Sequence, residues 1–190
     1  MTEALEVEVK IRFASVDDAR RAIRAGGAVE TRPRHFEENR IYDTRYGDLA
    51  ARHALLRVRE TSDGEGVLTW KEKIASEVNA KVRREWETNV ASASTLIEIL
   101  ERAGFVSTYR YQKYRTVFRL DDATIDLDET PMGCFVEIEA PARALAAAAG
   151  RIGAKESEFL VEDYRTLYRE WLDAAGRPPS DMIFEGPSRT

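Results

Sequence analysis

The chain has 190 residues, 33% charged and 43% hydrophobic, and its 29 Lys and Arg against 34 Asp and Glu leave a net charge of −5. That acidity excludes a generic nucleic-acid binder, and three Trp, seven Tyr and seven Phe exclude a disordered acidic chain. The lone Cys134 excludes an intrachain disulfide, His35 and His53 make no zinc constellation, and no apolar run nears the roughly 20 residues of a membrane span. MTEALEVEVK lacks the basic-then-apolar pattern of a secretory leader, so a cytoplasmic protein without membrane or nucleic-acid partners is the expectation.

Glu6 to Phe13 alternates strictly, which predicts a strand with Val7, Val9, Ile11 and Phe13 on one face and Glu6, Glu8, Lys10 and Arg12 on the other. Ser15 then caps a helix with Ala19, Ala22 and Ile23 as its apolar stripe, ended by Gly26-Gly27. His35 to Asp43 reads as a strand and Asp48 to Arg52 as a helical turn. Leu55 to Glu60 and Val67 to Ile74 read as strands joined by the Ser62-Asp63-Gly64 turn, and Arg83 to Val90 as another. Ser92 or Ser94 caps a second helix with Leu96, Ile97 and Leu100 inward, stopped by Gly104. Tyr111 to Leu120, Thr124 to Asp128 and Phe135 to Ala140 complete the strands. A third helix follows Pro141. A fourth is expected to start near Ser157, to bury Leu160, Tyr164, Leu167, Tyr168 and Trp171, and to end at Gly176. The mix is α+β with an antiparallel sheet, in one domain over 1–176, and a tail over 177–190 that packs through Met182, Ile183 and Phe184.

The chemistry sits in pairs spaced i, i+2, which share one strand face roughly 6.5–7 Å apart. Glu6/Glu8, Glu85/Glu87, Asp126/Asp128 and Glu137/Glu139 are acidic; Lys10/Arg12, Arg57/Arg59, Lys71/Lys73 and Lys113/Arg115 are basic. A solvated face laced with weak salt bridges is the plain reading of any one pair. The whole set is sorted by sign, which such a face is not. Crowded carboxylates suit hard divalent ions such as Mg²⁺ or Mn²⁺, and clustered Arg and Lys suit phosphate oxygens. A sheet curled into a barrel would gather both in one lumen, with apolar faces outward under the helices. Trp70 and Trp86 fall on that outer side. Tyr109 and Tyr111 share parity with Lys113 and either meet an organic substrate group or pack. Lys81, Arg83 and Arg84 lie at a strand entry near the mouth, facing phosphate or solvent. The run Glu156/Glu158/Glu162 reads as a solvated helix face, and Cys134 as a packed residue. Neither histidine falls on a charged strand face in this reading; both are expected at surface or capping positions, and no general base is assigned.

Glu6-Val7-Glu8-Val9-Lys10 resembles the N-terminal E-x-E-x-K signature of CYTH domains, the triphosphate tunnel metalloenzymes. Glu38-Asn39-Arg40-Ile41-Tyr42-Asp43-Thr44, Leu56-Arg57-Val58-Arg59, Thr69-Trp70-Lys71, Glu85-Trp86-Glu87, Lys113-Tyr114-Arg115, Asp126-Leu127-Asp128-Glu129 and Glu137-Ile138-Glu139 follow in the family's order, over roughly residues 5–170. The resemblance is closest to the class IV adenylate cyclase and thiamine-triphosphatase branch, with Asp163-Tyr164 where that family usually has Ser before Tyr. It implies a closed eight-stranded antiparallel β-barrel with a charged lumen and flanking helices. It further implies that Glu6, Glu8, Glu137 and Glu139 form the catalytic metal site for Mg²⁺ or Mn²⁺, with Asp126 nearby and Glu85 or Glu87 as a further acid; strand parity alone adds Asp128. Lys10, Arg57, Arg59, Lys71, Lys113 and Arg115 would then hold the triphosphate. The expected activity is hydrolysis of inorganic or thiamine triphosphate; the alternatives are cyclisation of ATP to cyclic AMP and pyrophosphate, and a non-catalytic polyphosphate or nucleotide binding module. A homodimer is compatible with this reading.

Overall fold

The computed structural model describes residues 3–62, 64–75 and 80–185; Asp63 of the expected turn and the last five residues of the tail lie outside them. Eight strands form: β1 (Glu3–Phe13), β2 (Val29–Thr44), β3 (Ala54–Thr61), β4 (Gly66–Lys73), β5 (Lys81–Val90), β6 (Phe105–Leu120), β7 (Ala123–Thr130) and β8 (Gly133–Glu139). They close into a ring in the order β1-β5-β4-β3-β2-β6-β7-β8, and every neighbouring pair is antiparallel. β1 makes the closure: its first half pairs with β5 and its second with β8, and Glu8 is the residue paired on both sides, to Lys81 and to Glu139.

Alternation drives the apolar halves outward, where helices cover them. Helices α1 (Val16–Ala25) and α4 (Ala142–Arg151) bury Ala19, Ile23, Leu145 and Ala149 with Val9, Ile11, Ile125, Leu127, Val136 and Ile138. Each such large side chain contributes roughly 1.5–3 kcal/mol by leaving water. The Ser15 hydroxyl accepts from the Asp18 N–H at 3.1 Å and starts α1 as expected. Its end needs glycine: a Cβ on Gly26 would stand 2.8 Å from the Arg151 carbonyl of α4. Helices α2 (Asp48–Ala51) and α3 (Ala93–Arg102) cover the other flank, with Leu49, Leu96, Ile97 and Leu100 around Tyr42, Leu56, Val58, Leu68 and Trp70. Ser92 rather than Ser94 caps α3, accepting from the Thr95 N–H. Trp70 and its cross-strand partner Trp86 share the outward face, as expected.

The last helix departs from expectation twice. α5 (Tyr164–Ala174) starts seven residues later than Ser157, capped by Asp163; Glu156–Glu158 is one 3-10 turn. The intervening chain serves the sheet instead. β1 leaves β5 after Glu8, and the freed edge at Lys10 exchanges both backbone hydrogen bonds with Leu160, at 3.0 and 2.8 Å. Secondly, α5 does not join the outer layer. Tyr164, Leu167, Tyr168 and Leu172 pack on Tyr109, Tyr111 and Phe135. Tyr111 shares parity with Lys113, so α5 occupies the inner face of the ring. Trp171 is only half-buried, stacked on Tyr168.

The tail is part of the fold. Met182 is fully buried and bridges Tyr111 of β6, giving its carbonyl to the Gln112 N–H at 2.8 Å. Phe184 is half-buried against Tyr114, whereas Ile183 is 38% exposed and so does not pack as expected. Among the described residues no helix is long and apolar enough to cross a membrane.

Candidate active site

The ring encloses a cavity of about 1320 Å³. Strand order sorts its charges. The contiguous strands β5, β1, β8 and β7 supply Glu85, Glu87, Glu6, Glu8, Glu137, Glu139 and Asp126; on the other side β4, β3 and β6 supply Lys71, Lys73, Arg57, Arg59, Lys113 and Arg115, and β2 between them adds Arg32. One wall is acidic and the facing wall basic. Lys10, Lys81 and Arg83 are cations on the acidic wall, and Glu37 and Asp43 are acids on the basic one.

Most of these charges are paired along the wall between neighbouring strands, and the rest reach one strand further. Lys71 Nζ lies 2.5 Å from Glu6 and 3.2 Å from Glu85. Lys10 lies 2.6 Å from Glu137, and Lys81 lies 2.6 Å from Glu8. Arg115 reaches Asp126 at 2.5 Å and Asp128 at 2.6 Å, and also meets Glu137. Arg57 is 3.7 Å from Glu87 and donates to the Tyr111 hydroxyl at 3.2 Å and the Thr69 hydroxyl at 3.1 Å. Arg59 reaches Glu87 and Glu37, both at 3.3 Å.

The carboxylates are unequally compensated. Burial would raise Glu137 and Glu8, but Lys10, Lys113 and Arg115 hold Glu137 well below the usual range, and Lys81 draws Glu8 down. Glu139 is pushed up to about 7 by burial and by Glu6, Glu85 and Glu8, against Lys71. Glu6 is raised by burial and Glu8, and its Oε2 is buried without a hydrogen-bond partner. Asp126 is pushed up to about 6 by burial and Asp128, outweighing Arg115, and its Oδ1 is likewise unpartnered. Among the described residues no three ligating side chains already converge as a formed cage. The unused buried oxygens of Glu6 and Asp126 and the raised carboxyls of Glu6, Glu139 and Asp126 nevertheless fit a hard divalent ion, which would relieve their repulsion.

Asp128, expected among the metal acids, does not line the cavity. It points inward but is fully buried beneath the groups it binds: its oxygens accept from Lys113 at 2.9 Å, from Arg115 Nε at 2.7 Å and from the Tyr164 hydroxyl at 2.7 Å. Glu87 stands beside the two β3 arginines, and Arg59 then Arg57 lower it against burial. Tyr111 lines the lumen, where Arg57 and Lys113 outweigh burial and lower its phenol; Tyr109 lines it too, raised by burial. Lys81 and Arg83 also line the lumen, whereas Arg84 points from the opposite face of β5.

Four residues escaped the sequence reading of this site. Glu37 is 1% exposed and contacts Arg59 and Lys113. Its signal was parity alone: it lies two residues from Asn39, opposite Arg59, but has no like-signed partner at i+2. His35 is buried, not on the surface. It lies on the inner face opposite Arg115, donates from Nδ1 to the Pro33 carbonyl at 2.9 Å, and places Nε2 3.4 Å from Glu37. It falls two residues before Glu37 on the expected strand, but a histidine belongs to neither the acidic nor the basic pairs that marked the inner face. Tyr164 enters the lumen on α5, with Lys10 4.5 Å and Lys113 5.3 Å from its ring centroid. Thr69, beneath Arg57, carries no charge that a pattern search would register. His53 is exposed as expected, and Cys134 is buried in the outer core, its thiol pushed up to about 12 by burial.

Comparison with known proteins agrees with this geometry. A Vibrio parahaemolyticus protein provisionally named an adenylate cyclase superimposes with a TM-score of 0.76 at 19% identity, over 88% of this chain and 99% of that one. A Pyrococcus horikoshii protein gives 0.75 at 25% identity, over 87% and 99%. A provisionally named adenylyl cyclase from Hippeastrum, with a dominant triphosphatase activity, gives 0.61 at 20% identity, over 91% and 97%. No curated protein matches the chain. The CYTH domain family matches residues 4–158, which span β1 to the 3-10 turn. A ring of eight antiparallel strands around facing acidic and basic walls, together with that match over most of the sequence, shows that the chain belongs to the CYTH domain family.

Proposed function

We propose that the lumen binds a triphosphate and hydrolyses its terminal phosphate with Mg²⁺ or Mn²⁺. The observation that carries this is the division of one cavity into a cationic and a carboxylate wall. Arg57, Arg59, Lys71, Lys113 and Arg115, with Lys10, grip the phosphate oxygens, the arginines through paired N–H groups. Glu6, Glu8, Glu137 and Glu139, with Asp126, Glu85 and Glu87, hold the ion. A bound divalent ion supplies charge neutralisation and a more acidic attacking water. Water attacks the terminal phosphorus and the bond to the middle phosphate breaks. Charge develops on the leaving oxygen, and Lys113 and Arg115 meet it without reorganising, since Asp128 already fixes them. A binding module has no use for carboxylates beside an anion.

Cyclisation of ATP is the second reading. It rests on the uncharged stretch of the cavity at Ile41, Leu55 and Tyr109, which suits an organic group beyond the phosphates. A screen of inorganic triphosphate, thiamine triphosphate and ATP with each metal separates the two. Phosphate together with the matching diphosphate (pyrophosphate, thiamine diphosphate or ADP), without cyclic AMP, is the expected outcome. Cyclic AMP with pyrophosphate would move the assignment to cyclisation, and binding without turnover to a module.

A further inference from the structure

We propose that Glu37 is a positioning residue, a buried fixed anion that holds Arg59 and Lys113 at the spacing a triphosphate requires. This rests on the triphosphate reading above.

Glu37 sits where phosphate binding alone would not place it. The basic wall must attract a polyanion, and a carboxylate buried there cancels one of its positive charges. Among the described residues the other inward acid of that wall is Asp43, whose oxygens accept from the Leu49 and Ala50 N–H groups of α2. Glu37 has no such backbone duty. Its Oε1 is 3.3 Å from Arg59 and 3.4 Å from His35 Nε2, and its Oε2 is 3.6 Å from Lys113. Arg59, Lys113 and Arg115 hold its carboxyl well below the usual range against burial, so it stays an anion.

The geometry of Arg59 shows what the anion does. One guanidinium nitrogen, Nη1, faces Glu37, and the other, Nη2, faces Glu87. The Glu37 side chain is 1% exposed and the Glu87 side chain 42%. Glu87 can therefore swing away and yield Nη2 to a phosphate oxygen, while Glu37 keeps the other end of the fork in place. Lys113 is held in the same way, between Glu37 and Asp128. Position is set before substrate arrives, and no reorganisation is needed later.

The test uses Glu37→Gln, which keeps the shape and removes the charge. Binding of inorganic triphosphate in EDTA, by calorimetry, is expected to be unchanged or tighter, because the wall gains a positive charge. Phosphate release with Mg²⁺ is expected to fall at least tenfold in kcat, and Glu37→Asp to recover part of it. An unchanged kcat, or a fall in affinity as large as the fall in kcat, would overturn the proposal. Melting curves check folding; should the Gln variant not fold, a parental kcat in Glu37→Asp overturns it equally. If the parent itself turns over no triphosphate, the functional reading fails, and positioning is read separately by NMR. The slowly exchanging guanidinium resonance of Arg59, identified by its loss in Arg59→Lys, is expected to broaden in Glu37→Gln; its persistence would count against the assignment.

Discussion

Tyr164 donates its hydroxyl to Asp128 across 2.7 Å, joining α5 to the carboxylate that fixes Lys113 and Arg115. The bond is wholly buried, and the same ring lies against Lys10 and Lys113. Tyr164→Phe keeps the ring and deletes one donor to a charged acceptor. Urea denaturation is expected to show a loss of about 1.5–3 kcal/mol. Turnover is expected to fall a few-fold, because Lys113 and Arg115 keep their other contacts to Asp128.

Arg57 is the most directly readable cation of the basic wall, since its hydrogen-bond partners Tyr111 and Thr69 are neutral and Glu87 lies farther off, at 3.7 Å. Arg57→Ala is expected to weaken binding of inorganic triphosphate by about tenfold to a hundredfold, the loss of one charge-assisted contact. Arg57→Lys is expected to recover only part, because an ammonium cannot reproduce the fork. Calorimetric titration measures both. Parental affinity in Arg57→Ala would remove this residue from the binding site.

The raised carboxyl of Glu139 predicts a pH signature in the metal-free protein. Its folded value of about 7 lies above the ordinary 4.5, so the folded state binds the extra proton between those values. The stability this contributes is complete below about pH 4.5 and is lost as pH rises through 7. In EDTA, the Tm of Glu139→Gln minus that of the parent is therefore expected to be smallest near pH 4.5 and to grow in the variant's favour towards pH 7.5. Adding Mg²⁺ at pH 7.5 is expected to raise the parent's Tm more than the variant's. A difference independent of pH would show that Glu139 is not strained by its neighbours.

Met182 tests whether the tail belongs to the domain. It is fully buried among Tyr109, Tyr111, Leu167 and Leu172, and lies beyond the stretch matched by the family. Met182→Ala is expected to cost about 2–5 kcal/mol by chemical denaturation. A change below about 0.5 kcal/mol, typical of a surface position, would mean that the tail merely rests on the ring.

The strands were legible because charge and hydropathy alternate with the pleat. Arg57 and Arg59, Glu137 and Glu139 point where parity puts them, and the outer core of Val9, Ile125 and Ile138 follows from the same period. What escaped was set by contacts distant in sequence. The apolar stripe of α5 says that it is buried, not that Phe135 and Tyr111 receive it inside the ring. Leu160 has helical spacing to Tyr164, yet the open edge at Lys10 claims its backbone. His35 stands outside the like-signed pairs that marked the inner face, and Asp128 shares the parity of Asp126 but is closed off by Tyr164 and two cations.

The ion pairs along the wall have a thermodynamic consequence. Lys10, Arg57, Arg59, Lys71, Lys113 and Arg115 each already contact a carboxylate. A phosphate oxygen reaching Arg57, Arg59 or Lys71 competes with a lumen-facing anion there, Glu87 or Glu6. Each displaced carboxylate then turns free to ligate. Polyanion and divalent cation are thereby linked, each raising the other's affinity by the same factor. The lumen behaves as an ion exchanger loaded with its own counter-ions, holding either guest alone more weakly than the two together.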